Sequence, residues 1–275
     1  MTAALLAFLF GLLIGSFLNV CIYRWPRDLS VVRPRSHCPA CQKTIAWYDN
    51  IPLLSYALLG GRCRHCRARI GIRYPVVELL TGLLFANAVR TLGPTVLGLK
   101  MCVFAALLTA LLFCDLEERI LPDELTLGGA LAGLAFAGFA PTPDITAQAL
   151  SWIFGANLTG RADWLAESAL GAVLPAAFLW TGGWLYEKVR HRQGLGFGDV
   201  KFMVMVGAFL GLNGALLTLL LGSLGGSILG YAYMRIAHKD PVAYELPFGT
   251  FLSAAAIVVG MAAPNYTGLF FFLRS

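Results

Sequence analysis

Charge is scarce in this sequence. Only 13% of its 275 residues are Asp, Glu, Lys or Arg, against 58% that are hydrophobic, and the mean hydropathy is +0.71. Soluble domains carry about 25% charged residues, so an ordinary water-soluble globular chain is excluded and a polytopic membrane protein is indicated. No Lys or Arg precedes the first apolar run, which begins at Ala3. Without a charged n-region that run does not read as a cleavable signal peptide, and we take it as a retained anchor. The sequence also lacks tandem repeats, low-complexity segments, an evident inverted repeat of the transporter kind and a dinucleotide-type glycine fingerprint.

What is present are apolar runs long enough to cross hydrocarbon, for which about 20 residues span about 30 Å. Eight are read: 3–23, 75–92, 96–114, 124–140, 167–186, 200–213, 215–235 and 248–264, the sixth short enough to be re-entrant or tilted. The expected fold is an all-α polytopic membrane protein of about eight transmembrane helices with a small zinc-ribbon-like loop domain. The expected organisation is a first transmembrane helix at 1–23, a cytoplasmic four-cysteine loop domain at 24–74 and a transmembrane bundle at 75–275.

The net charge of +6 is distributed by topology. With the N-terminus outside, 17 of the 21 Lys and Arg residues fall on the inner side, leaving Arg90, Lys100, Arg161 and Arg274 outside. That satisfies the positive-inside rule, requires no nucleic-acid partner and favours contact with anionic membrane lipid.

The loop between the first two runs is basic and proline-rich and holds four of the seven cysteines. Cys38-Pro-Ala-Cys41 and Cys63-Arg-His-Cys66 are two Cys-x-x-Cys knuckles separated by 21 residues, the spacing of a tetrahedral four-thiolate zinc site. Two disulfides are the alternative, and a reducing cytoplasm opposes them. A closed four-thiolate shell leaves no position for water, so the expected zinc is structural and supplies folding free energy to a loop too short to bury much apolar surface. His37 and His65 flank the knuckles as supporting or surface groups. Cys21, Cys102 and Cys114 lie in apolar runs, where cysteine behaves as a small hydrophobe.

Glycines spaced four apart, Gly11/Gly15, Gly207/Gly211 and Gly222/Gly226/Gly230, predict close helix packing. Asn157-Leu-Thr and Asn265-Tyr-Thr match the glycosylation sequon, a triplet too common to carry weight.

The chemistry concentrates at two aspartates. Asp115 closes the third run, and Asp199 opens the sixth behind Gly194-Leu-Gly196-Phe-Gly198. A carboxylate at the edge of hydrocarbon is costly to keep, although any one Asp at a helix boundary is ordinarily a cap. The topology puts both on the cytoplasmic side, where two acids sharing a proton would form an aspartyl protease dyad. The alternating glycines disfavour helix, permit positive φ and allow another backbone to approach. By helix dipole alone, Asp199 at a helix start is the expected base and Asp115 at a helix end the expected acid, with Glu117, Glu118 and Asp123 as competitors for the acid role. Asp123, following Pro122, reads as a first-turn residue. Lys201 either supports the Asp199 carboxylate or marks the inner interface by snorkelling.

Together these residues resemble the bacterial type IV prepilin peptidase family, also called type II secretion prepilin leader peptidases. The resemblance runs from end to end: Gly15-Ser-Phe-Leu-Asn19-Val-Cys-Ile-Tyr-Arg24 with Pro26, the paired knuckles, Trp47-Tyr-x-Asn50-Ile-Pro52, Arg73-Tyr-Pro75-x-Val-Glu78, Asp115 through Pro122-Asp123, Gly196-Phe-Gly198-Asp199-x-Lys201, and Pro247-Phe-Gly249-Thr-Phe. It implies an inner-membrane Gly-x-Gly-Asp aspartyl protease with catalytic residues at Asp115 and Asp199. The implied substrates are prepilins and pseudopilins, cut on the cytoplasmic side after a short basic leader. It implies, too, that many members methylate the new N-terminal amine from S-adenosylmethionine, with no motif here marking the residues that bind the donor. Thr250 stands where the family's Pro-Phe-Gly-Pro form has proline.

Two readings from other classes remain beside this one: a transporter or channel using the aspartates as ion or proton sites, and a zinc-dependent scaffold with inert aspartates. Both acids lie at the inner face rather than the midplane, which disfavours transport. The separation of the carboxylates discriminates, because a dyad must be within reach directly or through one water.

Overall fold

The computed structural model describes residues 1–142, 160–191, 196–236 and 246–272, with side chains as far as 262. Gly194, Arg192, Lys239, Asn157 and Arg274 lie outside the described residues, as does the side chain of Asn265. Among the described residues there is no β-strand. The described residues form eight α-helices, in order: α1 (Thr2–Arg24), α2 (Leu54–Leu58), α3 (Arg73–Leu92), α4 (Val96–Glu118), α5 (Asp123–Ala137), α6 (Arg161–Arg190), α7 (Phe197–Ile236) and α8 (Phe248–Phe272).

Five of these, α1, α3, α4, α6 and α7, are long and apolar enough to cross a membrane, and the apolar stretch Phe248–Ala262 of α8 is shorter. The chain is a multi-pass membrane protein. All eight expected runs are helical, with one difference in how they divide. The sixth and seventh form the single 40-residue α7, which would measure about 60 Å if straight, twice the hydrocarbon thickness. Gly211, at φ 76° and ψ −174°, breaks the helical path inside it. Glycine adopts that conformation without a Cβ penalty.

By internal packing the chain forms two compact units, Met1–Ala110 and Leu111–Ser275. In the first, α1 lies against α3 at backbone distance. A Cβ on Gly11 would sit 2.8 Å from the Gly82 Cα, and one on Gly15 would sit 2.7 Å from the Glu78 Cα. Asn19 secures the contact by donating to the Tyr74 carbonyl at 3.0 Å. Arg24, buried at the end of α1, donates to the carbonyls of Ser30 at 2.8 Å and Pro34 at 2.6 Å, which fixes where the loop leaves the helix.

In the second unit α7 is the central element, and its glycines are the contact points. A Cβ on Gly207 would collide with the Gly171 carbonyl of α6, and one on Gly133 of α5 would lie 2.9 Å from the Ala208 Cβ. Gly222 and Gly230 admit Leu252 and Leu246 at 2.7 and 2.6 Å, and Gly226 admits Phe251 at 3.4 Å. The spaced glycines are therefore grooves for neighbouring helices, as expected where association in lipid rests on close packing. The sequence pattern did not single out Gly171, although its own Cβ would lie 2.6 Å from the Gly211 Cα.

Candidate functional site

The metal centre is built from two local turns of one design. In the first, the Cys38 amide donates to the Lys43 carbonyl at 2.9 Å and the Gln42 amide to the Cys38 carbonyl at 2.8 Å; in the second, Cys63 donates to Ala68 at 2.9 Å and Arg67 to Cys63 at 3.0 Å. Gln42 and Arg67, at φ 57° and 59°, occupy the same left-handed position in each turn. Bridges between His37 and Thr44 and between Arg62 and Arg69 close the two turns. The repeat brings the thiols of Cys38, Cys41, Cys63 and Cys66 together, all four sulfurs within 4.8 Å of one another. All seven cysteines are free thiols.

Zinc–thiolate bonds of about 2.3 Å require sulfurs about 3.8 Å apart along the edges of a tetrahedron. Cys38 and Cys66 stand at 3.8 Å. Amide hydrogen bonds from Cys66 and His65 draw the Cys63 thiol down to about 6. Cys66, despite an amide bond from Ala68, is pushed up to about 11 by desolvation and by the thiols of Cys41, Cys63 and Cys38. Thiols held this close resist joint ionisation, and a divalent cation relieves that conflict. The cluster could hold a metal such as zinc.

Polar contacts brace this loop and tie it to α3. Arg64 grips Asp49 through Nε, at 3.0 and 2.8 Å to its two oxygens, and holds that carboxyl below the usual range. The Ser55 hydroxyl donates to the Tyr48 carbonyl at 2.7 Å, and the Leu53 amide donates to Oε2 of the buried Glu78 on α3 at 2.9 Å. Glu78 had no assigned role in the sequence. Its role in the structure is to receive the loop.

The second unit gathers the aspartates. Helix α4 ends where Arg119 turns left-handed at φ 56° and donates its amide to the Asp115 carbonyl at 2.9 Å. Asp115, buried in the last turn, accepts two hydrogen bonds on Oδ2 from the start of α8, from the Thr250 amide at 2.6 Å and the Thr250 hydroxyl at 2.8 Å. Asp199, half-buried in the first turn of α7, donates its amide to the Gly196 carbonyl at 3.1 Å. The two carboxylates lie within electrostatic reach of each other. Leu121 packs against the glycines beside them: a Cβ on Gly249 would stand 3.0 Å from Leu121 Cδ2 and from Asp115 Cγ, and one on Gly198 would stand 3.4 Å from Leu121 Cβ.

Three expectations meet a different geometry here. Gly198 is helical, since α7 begins at Phe197, and neither Gly196 nor Gly198 takes positive φ. Their lack of a side chain serves close approach, with the Gly196 Cβ position 3.4 Å from Asp199 Oδ2. Lys201 is engaged by a third group: its ammonium donates to both oxygens of Asp123, at 2.7 and 2.8 Å, and lies 5.0 Å over the Phe197 ring. Asp123, at the first position of α5, is thereby engaged by α7. Asp115 meets the C-terminal end of α4 and, through Thr250, a second helix terminus. That terminus, the start of α8, is of opposite sense, so helix dipoles do not divide the pair into acid and base. Glu117 is exposed and Glu118 half-buried, while Cys114 is buried beside Asp115.

Comparison with known proteins places both units. Residues 9–92 match the bacterial peptidase A24 N-terminal domain and residues 102–231 the type IV leader peptidase family. Among similar proteins is the prepilin leader peptidase/N-methyltransferase of Myxococcus xanthus, 42% identical over 82% of this chain, which spans 62% of that protein's length. Proteins of the same description from Aeromonas hydrophila and Pseudomonas aeruginosa are 35% and 34% identical over 91% and 90% of the chain and 87% and 86% of their own lengths. No solved structure matches. Two matching domains in order and relatives aligned along nearly their whole length show that this chain belongs to the type IV leader peptidase family.

Proposed function

We propose that this chain is a membrane aspartyl endopeptidase that removes the leader of type IV prepilins and pseudopilins and N-methylates the residue so exposed. What supports the peptidase reading is that the end of α4 and the start of α7 carry Asp115 and Asp199 to within electrostatic reach of each other. Two carboxyl groups so placed share one proton. The ionised one takes a proton from water as the oxygen attacks the scissile carbonyl. The protonated one then supplies the leaving amine, and the pair is restored. A transporter would use similar acids, but the family to which the chain belongs does not favour that reading.

The active site faces the cytoplasm of a bacterial inner membrane in this proposal, with the N-terminus outside, because that orientation places most Lys and Arg inside. Zinc at Cys38, Cys41, Cys63 and Cys66 is structural and organises the loop. Methylation rests on the relatives and implies S-adenosylmethionine as donor. A cavity of about 420 Å³ in the first unit is lined by Arg24 and Arg35 with no carboxylate. That lining does not suit a donor whose sulfonium and ammonium outweigh its one carboxylate, and no methyl-transfer step is assigned to it. The test is incubation of the purified protein with a detergent-solubilised prepilin and S-adenosylmethionine, followed by mass measurement. Loss of the leader and gain of one methyl group support the proposal; intact prepilin contradicts it.

A further inference from the structure

Asp115 is held by a residue that the proposed chemistry does not yet use. We propose that Thr250 is a positioning residue for Asp115, binding one carboxylate oxygen through both its hydroxyl and its amide so that the other oxygen faces water and the scissile peptide. This rests on the reading of Asp115 as one member of the dyad. Both Thr250 donors converge on Oδ2, at 2.6 and 2.8 Å, and among the described residues no hydrogen bond reaches Oδ1.

The arrangement costs the fold little. Thr250 is the third residue of α8, so its amide is among the four at a helix start that lack an intrahelical acceptor. Its hydroxyl has a single proton. The Asp115 oxygen at 2.8 Å is the better acceptor for it than the Leu112 carbonyl at 3.4 Å, and a bond to an ionised group is the stronger kind. β-Branching limits the side chain to few rotamers, which keeps the hydroxyl on its target. Gly249, one residue earlier, provides the space, since a side chain there would press on Asp115 Cγ. A carboxylate gripped by one oxygen cannot swing away from its partner. The second oxygen is the one left to exchange a proton with water or the leaving amine.

Two variants test this in prepilin cleavage by the full-length protein. Thr250→Val keeps shape and branching but loses the hydroxyl, and should lower kcat by about 10-fold while KM stays within about 2-fold, as expected for one charge-assisted hydrogen bond. Thr250→Ser restores the donor and should recover most of the rate. Wild-type kcat in Thr250→Val, or a Ser variant as slow as the Val variant, would overturn the inference. Asp115→Asn separates this from the underlying reading. If Asp115→Asn still cleaves, the dyad itself is refuted; if it is inactive while Thr250→Val runs at full rate, only the role of Thr250 falls.

Discussion

Gly249 is the position where a single methyl group should damage catalysis while the protein still folds. A Cβ built there lies 3.0 Å from Asp115 Cγ and from Leu121 Cδ2, whereas ordinary contacts begin at 3.4 Å. Gly249→Ala must therefore open the site by about 0.4 Å. Leu121 can yield by a change of rotamer, but Asp115 is tethered to Thr250 and can move only with it. A misplacement of about 1 Å can cost about 100-fold in rate, so a shift of this size predicts a kcat lower by roughly 5- to 10-fold. Mild overpacking should lower stability by about 1 to 3 kcal/mol. Gly128→Ala is the matched control: it lies in α5 with nothing within 4 Å of its Cβ position, so activity and melting temperature should hold or rise slightly. The assay is steady-state cleavage of a solubilised prepilin, with thermal melting measured on the same preparations. Full activity in Gly249→Ala, or equal losses in both variants, would refute the reasoning.

Two further predictions concern the architecture. Purified protein should contain one zinc per chain, and Cys63→Ser or chelation should expose the loop between Arg24 and Arg73 to protease while α1 and α3 stay paired, because metal binding energy is invested locally; protein isolated without zinc, or with disulfides among these four cysteines, would contradict the site. Gly207→Ala should sharply lower the melting temperature, since the new methyl meets the Gly171 carbonyl, a backbone atom that no rotamer change can move; a variant as stable as the parent would show that α6 and α7 do not approach as described.

Much of this was legible in the sequence because it is local or periodic. Apolar length marks helices, and all eight runs are helical, while Cys-x-x-Cys spacing dictates a turn that brings sulfurs together whatever surrounds it. Glycines four apart announce a groove. Their partners could not be read, because Gly171 has no glycine four residues to either side and its importance appears only once Gly207 faces it. The same holds at the dyad. Asp115 and Asp199 stand out as acids at the ends of apolar runs, but Thr250, 135 residues from Asp115 in the chain, becomes meaningful only when α8 delivers its first turn there. Lys201 read either as a support for Asp199 or as a snorkelling interface marker, and the partner it reaches, Asp123, lies 78 residues away.

The most direct test of the central claim is cleavage of a solubilised prepilin by Asp115→Asn and Asp199→Asn, each purified with its zinc content and membrane insertion verified. Neither variant should yield detectable mature product, because one carboxyl group cannot both activate water and protonate the leaving amine. Cleavage by either at near the parent rate would remove that residue from the dyad and contradict the account.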